Sequence, residues 1–333
     1  MPSDVTVRME LPQVEKELPL VVRCLSQGVN LSEWVRGNRA LLDEKLCAHG
    51  ALIFRGFAVT AQGDFEAFVD EIAPKRLDYV YRSTPRSAVG ENIYTATEYP
   101  RQATIPLHCE NAYQNDWPTK LMFYCPQPAQ QGGETTLGNL RRITKRLGKE
   151  IVDEFAERKV MYVRNYGAVM DLPWETVFQT TQREEVEQYC RSHGIEFEWK
   201  KDGGLRTRQV CQGVAEHPRT KDRVWFNQAH LFHLSMLESK TRTAMRRLFK
   251  EEDLPRSSYY GDGSAISEAL IAKIGDAFVR ECVAYPWQTG DIMLVDNMLA
   301  AHGRSPFTGP RKVLVAMAEP FSTIATGTGQ QAQ

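Results

Sequence analysis

Nine short runs of β-favouring residues punctuate the chain: IYTAT (93–97), KLMFYC (120–125), ETTLG (134–138), VMYVRNY (160–166), EFEWK (196–200), RTRQV (206–210), RVWFN (223–227), DIMLV (291–295) and KVLVAM (312–317). They are rich in β-branched, aromatic and aliphatic side chains, and Gly, Pro, Asn or Asp separates most of them. Many short strands need a closed or two-layered sheet to hide their edges, which points to a sandwich or jelly roll. Helical periodicity interrupts them near 32–49 and 63–72, on either side of an apolar strand at 51–57. It returns at about 140–158, at 182–193, and over 237–280 with breaks near Pro255 and Gly261. The fold class expected is therefore mainly β with helical insertions. No repeat or linker divides the 333 residues, so one domain over 1–333 is expected, with a small, polar tail fraying from about Thr323.

Charge narrows the function. Lys and Arg number 41 and Asp and Glu 42, giving a net charge of -1 with no block of one sign that would track phosphates, which argues against a nucleic-acid partner. The opening MPSDVTVRMELPQVEKELPL carries acids throughout, and no apolar run approaches the roughly 18 residues of a membrane span. A soluble, cytoplasmic protein without membrane partners is expected. Seven cysteines, at 24, 47, 109, 125, 190, 211 and 282, are odd in number, scattered and free of CxxC pairs, so they read as buried thiols rather than disulfides or a zinc site.

The chemistry gathers around PLHCENAYQNDWP. His108 and Glu110 stand two apart, and in an extended chain such residues project to one face while Cys109 points away. An imidazole and a carboxylate side by side, joined by a distant second imidazole, form the facial set that leaves three positions open on non-haem Fe(II). His302 in DNMLAAHGR, just after the apolar run DIMLV, is the candidate for that third ligand. The spacing alone is weak, since seven histidines and 42 acids in this length yield about one His-X-acid match by chance. Its company strengthens it. GRSPFTGPR leads to Arg311 at the entrance of an apolar strand, where a guanidinium fork suits a carboxylate; Arg304 is its competitor.

HCE (108–110), GGET (132–135), WQTGDIMLVDN (287–297) and AHGRSPFTGPR (301–311), with LIFRGF (52–57) and WFN (225–227), together resemble the Fe(II)/2-oxoglutarate dioxygenases of the taurine-dioxygenase superfamily. Within it the likeness is to clavaminate-synthase-like proteins and syringomycin-type hydroxylases, and it spans nearly the whole chain. The resemblance implies a double-stranded β-helix, or jelly roll, using Fe(II), 2-oxoglutarate and O2. His108, Glu110 and His302 match the iron ligands. Arg311 matches the arginine that pairs with the distal carboxylate of 2-oxoglutarate, and Thr135 the assisting hydroxyl, with Thr136 its immediate rival. Decarboxylation of the cosubstrate to succinate and carbon dioxide then drives hydroxylation of a C–H bond. Related halogenases keep a small residue where Glu110 stands, so halogenation is disfavoured, while desaturation and ring closure stay open.

The substrate is less legible. Asn92, Tyr94, Thr97, Asn111 and Tyr113 flank the first motif, and WFNQAHLFH adds Asn227, His230 and His233 in what resembles a substrate-covering insertion; the imidazoles favour packing over a role as base. Taurine dioxygenases carry a second arginine four residues after the cosubstrate arginine, and here that position is Val315, so taurine is disfavoured. An amino-acid-derived small molecule, free or tethered to a carrier protein, within natural product biosynthesis is the expected partner, and a homo-oligomer is compatible with the sequence. Two other readings stand beside this one: a zinc hydrolase on the same ligands, which leaves Arg311 and Thr135 without a task, and a catalytically silent 2-oxoglutarate-binding or sensor module.

Overall fold

Alternation along the strand Asp291–Asp296 shows how the molecule is layered. Ile292 and Leu294 belong to one buried apolar cluster, whereas Met293 and Val295 belong to another, so this strand is covered on both faces. The computed structural model of the chain describes residues 5–73, 88–90, 93–96, 99–167 and 172–324.

Numbered in chain order, the strand just described is β17, the centre of an eight-stranded sheet. Its neighbours on one side are β3 (Ala51–Arg55), β2 (Leu20–Cys24) and β1 (Val7–Glu10). On the other lie β7 (Asp116–Gln127), β20 (Lys312–Ser322), β5 (Ile93–Thr95) and β4 (Ala88–Gly90). Helices α1 (Leu31–Gly37), α2 (Arg39–His49) and α3 (Gln62–Ile72) supply Leu31, Val35, Leu42, Leu46, Phe65, Phe68 and Val69 to the outer cluster. The inner cluster joins this sheet to a four-stranded one, ordered β16 (Cys282–Ala284), β9 (Thr135–Asn139), β18 (Ala300–Arg304) and β6 (Ile105–His108), through Leu137, Val283 and Ala300. Two sheets facing across an apolar core are the two layers of a jelly roll, as the many short runs predict.

The insertion between the motifs forms the third layer. A second four-stranded sheet runs β11 (Glu196–Trp199), β12 (Leu205–Cys211), β10 (Val160–Tyr166), β15 (Arg256–Tyr260), and two small pairs are β13 (Val214–Glu216) with β14 (Arg223–Trp225) and β8 (Gln131–Gly132) with β19 (Phe307–Thr308). Around them pack α4 (Leu140–Leu147), α5 (Lys149–Arg158), α6 (Trp174–Phe178), α7 (Arg183–Ser192), α8 (Ala229–Phe232), α9 (Ser239–Leu248) and α10 (Glu268–Glu281). None of the described helices is long and apolar enough to cross a membrane.

Several boundaries differ from the sequence reading. The segment 32–49 is two helices: Asn30 caps the first by accepting from the Glu33 N–H at 3.0 Å, and Asn38 ends it by donating to the Trp34 carbonyl at 2.8 Å. Gly148 at φ 86° splits 140–158 in the same way. The break between Pro255 and Gly261 is the strand β15, and β1 and β2 lack a clear apolar run because Arg8 and Glu10 interrupt the first and Arg23 the second. Cys282 is exposed and Cys47 half-buried, while the other five thiols are buried; all seven are free. Strand β20 continues to Ser322, and the Thr323 N–H donates to the Asn115 carbonyl at 2.9 Å; the tail beyond 324 lies outside the described residues.

Candidate active site

His302 sits in the middle of β18, a strand buried along its whole length. It stands opposite Leu137 of β9 on one side and His108 of β6 on the other. The register then slips: His302 faces His108 but Arg304 faces Ile105, so β6 carries one residue more than β18 over this stretch. Such a bulge re-aims the strand beside a site. Gly303 permits it, since a Cβ there would lie 2.5 Å from the Ile105 carbonyl oxygen and 2.8 Å from Thr136 Oγ1.

Strand β6 ends at His108, and Glu110 lies in the turn beyond it, so the two do not share the face of one extended strand as the spacing predicts. The turn still brings their side chains together. The ligand atoms of His108, Glu110 and His302 all lie within 4.8 Å of one another, and the two imidazole centroids are 4.3 Å apart. His108 Nδ1 lies 2.9 Å from the Pro106 carbonyl, which assigns the proton to Nδ1 and leaves the Nε2 lone pair for an ion. His302 turns Nε2 toward Glu110 Oε2 at 3.5 Å, with Phe123 against its ring at 5.5 Å. That separation is long for a hydrogen bond, but two donors each about 2.1 Å from one ion at right angles lie about 3 Å apart. Glu110 and His302 are buried to 3% and 5% exposure, where a carboxylate between imidazoles is well matched to a divalent cation. The residues fit Fe(II).

Behind them is a narrow cleft of about 30 Å³ lined by His108, Phe123, Thr135, His302, Arg311 and Val315. Arg311 donates from Nε to the Gly133 carbonyl at 2.8 Å, and neither of its terminal nitrogens is hydrogen-bonded among the described residues. Burial pushes its pKa down to about 10, which still leaves the guanidinium charged near neutrality. The GGET motif makes room for it: Gly133 adopts φ 74°, and a Cβ there would come within 3.0 Å of Arg311 Cδ. The rivals are accounted for by their contacts. Arg304 spends its guanidinium on the carbonyls of Tyr99, Pro100 and Ala103 at 3.1, 2.7 and 2.8 Å. Thr136 lines a different cavity from Thr135, as alternation along β9 requires. A half-buried cation and a buried hydroxyl lining one cleft with two of the metal donors match a dicarboxylate that chelates through its far end.

The substrate candidates divide. Asn92 and Thr97 lie outside the described residues. Tyr94 is buried opposite Val315 in the inner core. Asn111 is buried in a left-handed conformation at φ 58°, and its Oδ1 has no partner. Tyr113 packs on Phe232 at 5.5 Å within the insertion core. Asn227 commits both ends of its amide to backbone, donating to the Gly213 carbonyl at 2.6 Å and accepting from the Ala229 N–H at 3.0 Å. His230 stacks 4.5 Å from Phe278 and lines a separate cavity of about 470 Å³ with Leu107, Met236 and Thr136. Burial first, with the nearness of His108 second, pushes its pKa down to about 3 and keeps it neutral. His233 is half-buried and accepts from the Ser235 N–H at 3.2 Å. The sequence reading missed Asn297, whose amide grips the Glu110 peptide.

Comparison with known proteins places this geometry. Residues 13–317 match the family model described as taurine catabolism dioxygenase TauD, TfdA family. The chain is 41% identical to the dapdiamide synthesis protein DdaC of Enterobacter agglomerans, covering 84% of this chain and 85% of that one. It is 31% identical to a clavaminate synthase-like protein of Arabidopsis thaliana, over 86% of each chain. Among solved structures, PvcB of Pseudomonas aeruginosa superposes with a TM-score of 0.52 at 16% identity, covering 95% and 94% of the two chains, a likeness of fold.

Proposed function

The chain belongs to the TauD/TfdA family of dioxygenases, and from that premise we propose that it hydroxylates an unactivated C–H bond of an amino-acid-derived small molecule, free or carrier-tethered, in specialised metabolism. The observation that carries the reading is the convergence of His108, Glu110 and His302 beside a cleft that His108 and His302 line together with Thr135 and the half-buried Arg311.

In this reading His108 and His302 present neutral Nε2 atoms and Glu110 a carboxylate oxygen to Fe(II). When bound, the ion together with 2-oxoglutarate and dioxygen supplies the oxidising power for C–H cleavage, the cosubstrate leaving as succinate and carbon dioxide. Arg311 fixes the distal carboxylate of the cosubstrate by charge-assisted hydrogen bonds, with the Thr135 hydroxyl beside it. Phe123 and Val315 line the cleft with apolar surface that limits water around the reacting atoms. Glu110 fills the position that a halide would need, which supports hydroxylation over halogenation.

Support for the substrate class comes from DdaC, a protein of dapdiamide synthesis, at 41% identity. Val315, buried on the cleft wall, offers no charge to a sulfonate, which supports setting taurine aside. The test is anaerobic reconstitution with Fe(II) and 2-oxoglutarate, then exposure to oxygen with a panel of amino acids and their amides, read by succinate and by products heavier by one oxygen atom. Hydroxylated product in step with succinate is the expected result. Product formed with Zn(II) in the absence of oxygen would establish hydrolysis instead, and tight 2-oxoglutarate binding without turnover across the panel would establish a silent module.

A further inference from the structure

Asn297 is fully buried, at 0% exposure, at the turn between β17 and β18, with no apolar reason to be there. All of its amide is used. Oδ1 accepts from the Glu110 N–H at 2.7 Å, while Nδ2 donates to the Glu110 carbonyl at 2.9 Å and to the Pro118 carbonyl at 2.8 Å. One side chain therefore holds the peptide groups on both sides of Glu110 Cα and ties them to the start of β7. Asn297 is itself fixed, since its own N–H donates to the Thr119 carbonyl at 2.9 Å. The residue before it is pinned as well: Asp296 Oδ2 lies 3.0 Å from His217 Nε2, and His217 Nδ1 accepts from the Thr220 N–H at 3.0 Å, so the proton of that imidazole is on Nε2 and is donated to Asp296.

Glu110 needs such a hold because it is the one member of the triad outside a strand. The ladder of β18 and β6 fixes His302 and His108, whereas Glu110 stands in a turn followed by Asn111 at φ 58°. We infer that Asn297 is a positioning residue for the metal carboxylate: it fixes the Glu110 peptide so that the carboxylate meets the two imidazoles before any ion arrives. The inference rests on the metal reading proposed above. Partners of this kind typically contribute 10–100-fold to metal affinity.

The test is Ni(II) titration of the tag-free chain by calorimetry, chosen because imidazole pairs hold Ni(II) more tightly than Fe(II). Wild type, Asn297→Asp and Asn297→Ser are compared, each alone and combined with Glu110→Ala. Asn297→Asp keeps an acceptor for the Glu110 N–H and removes both donated hydrogen bonds; Asn297→Ser, one atom shorter, withdraws the side chain from all three partners without adding charge. The expected result is affinity weakened about 10–100-fold in either single variant and no further weakening when Glu110 is already Ala. Equal weakening in both backgrounds would overturn the inference, because the effect would then not pass through the carboxylate. Unchanged affinity in a folded variant, or loss of folding in both variants, would overturn it too. If Glu110→Ala alone left Ni(II) binding unchanged, the metal assignment itself would fall, a result distinct from the others.

Discussion

Arg311 and Arg304 line one cleft, the first matching the cosubstrate arginine in the sequence and the second its competitor, and their contacts give them different work. Replacing Arg311 by Ala removes a half-buried cation whose terminal nitrogens are unbonded among the described residues and should weaken 2-oxoglutarate by about 1.5–3 kcal/mol, tenfold to a few hundredfold in Kd, with little change in stability. Arg304→Ala should do the reverse, releasing three carbonyls at a cost of about 1–3 kcal/mol in folding while leaving more of the cosubstrate affinity intact. Parallel calorimetry and denaturant unfolding on the two variants separate the effects. Nothing in the sequence ranks these arginines by side-chain partner; only the Gly133 carbonyl and the 99–103 turn do that. Thr135 and Thr136 show the same limit, since a strand's period of two says they part but not which faces inward.

At the scale of elements, the site depends on how β6 meets β18. Gly303→Ala would set a methyl 2.5 Å from a backbone oxygen, so β6 must move. A loss of about 1–3 kcal/mol in stability is expected, together with weakened metal binding, because His108 ends the displaced strand. Denaturant unfolding and metal titration on one preparation check both. The seating of α10 is a second case. Glu281, 2% exposed at its end, is held by Arg142, Arg146 and Lys16. Burial works to raise its pKa, but the bonds from Arg142 and Arg146 outweigh it and hold the carboxylate below its ordinary range. A carboxylate depressed in the folded state stabilises above its unfolded pKa and loses that contribution as pH falls through the folded value. Its cations are 23–39% exposed, so Glu281→Gln should cost roughly 2 kcal/mol at pH 7, less than a fully buried pair. The difference from wild type should shrink below about pH 4.3, as urea midpoints across pH would show.

For the whole molecule, the layering was legible where alternation was strong. Continuous apolar runs such as DIMLV and KVLVAM announced strands covered on both faces, and the ordered motifs pointed to the candidate ligand residues. Strands β1 and β2 were not legible because charged residues break their apolar pattern, and the bulge and the Asn297 clamp were not because each is defined by a partner far along the chain: Asn297 reaches back 187 residues to Glu110. Because its ligands come from β6, the following turn and β18, ion and cosubstrate should stabilise the fold as a unit. With one ligand at a hundredfold its Kd, linkage gives about 2.7 kcal/mol. Thermal unfolding should therefore rise with Fe(II), rise again with 2-oxoglutarate, and fall back on chelation; in Arg311→Ala the second increment should shrink and the first persist.

The most direct measurement is anaerobic absorption spectroscopy of the chain mixed with Fe(II) and 2-oxoglutarate, compared with folded His302→Ala and His108→Ala. A visible charge-transfer band that needs both additions and is absent from both variants is predicted, since the band requires the ion held beside its chelating cosubstrate. The same band at full strength in either variant would contradict the assignment of His108, Glu110 and His302 as the iron site.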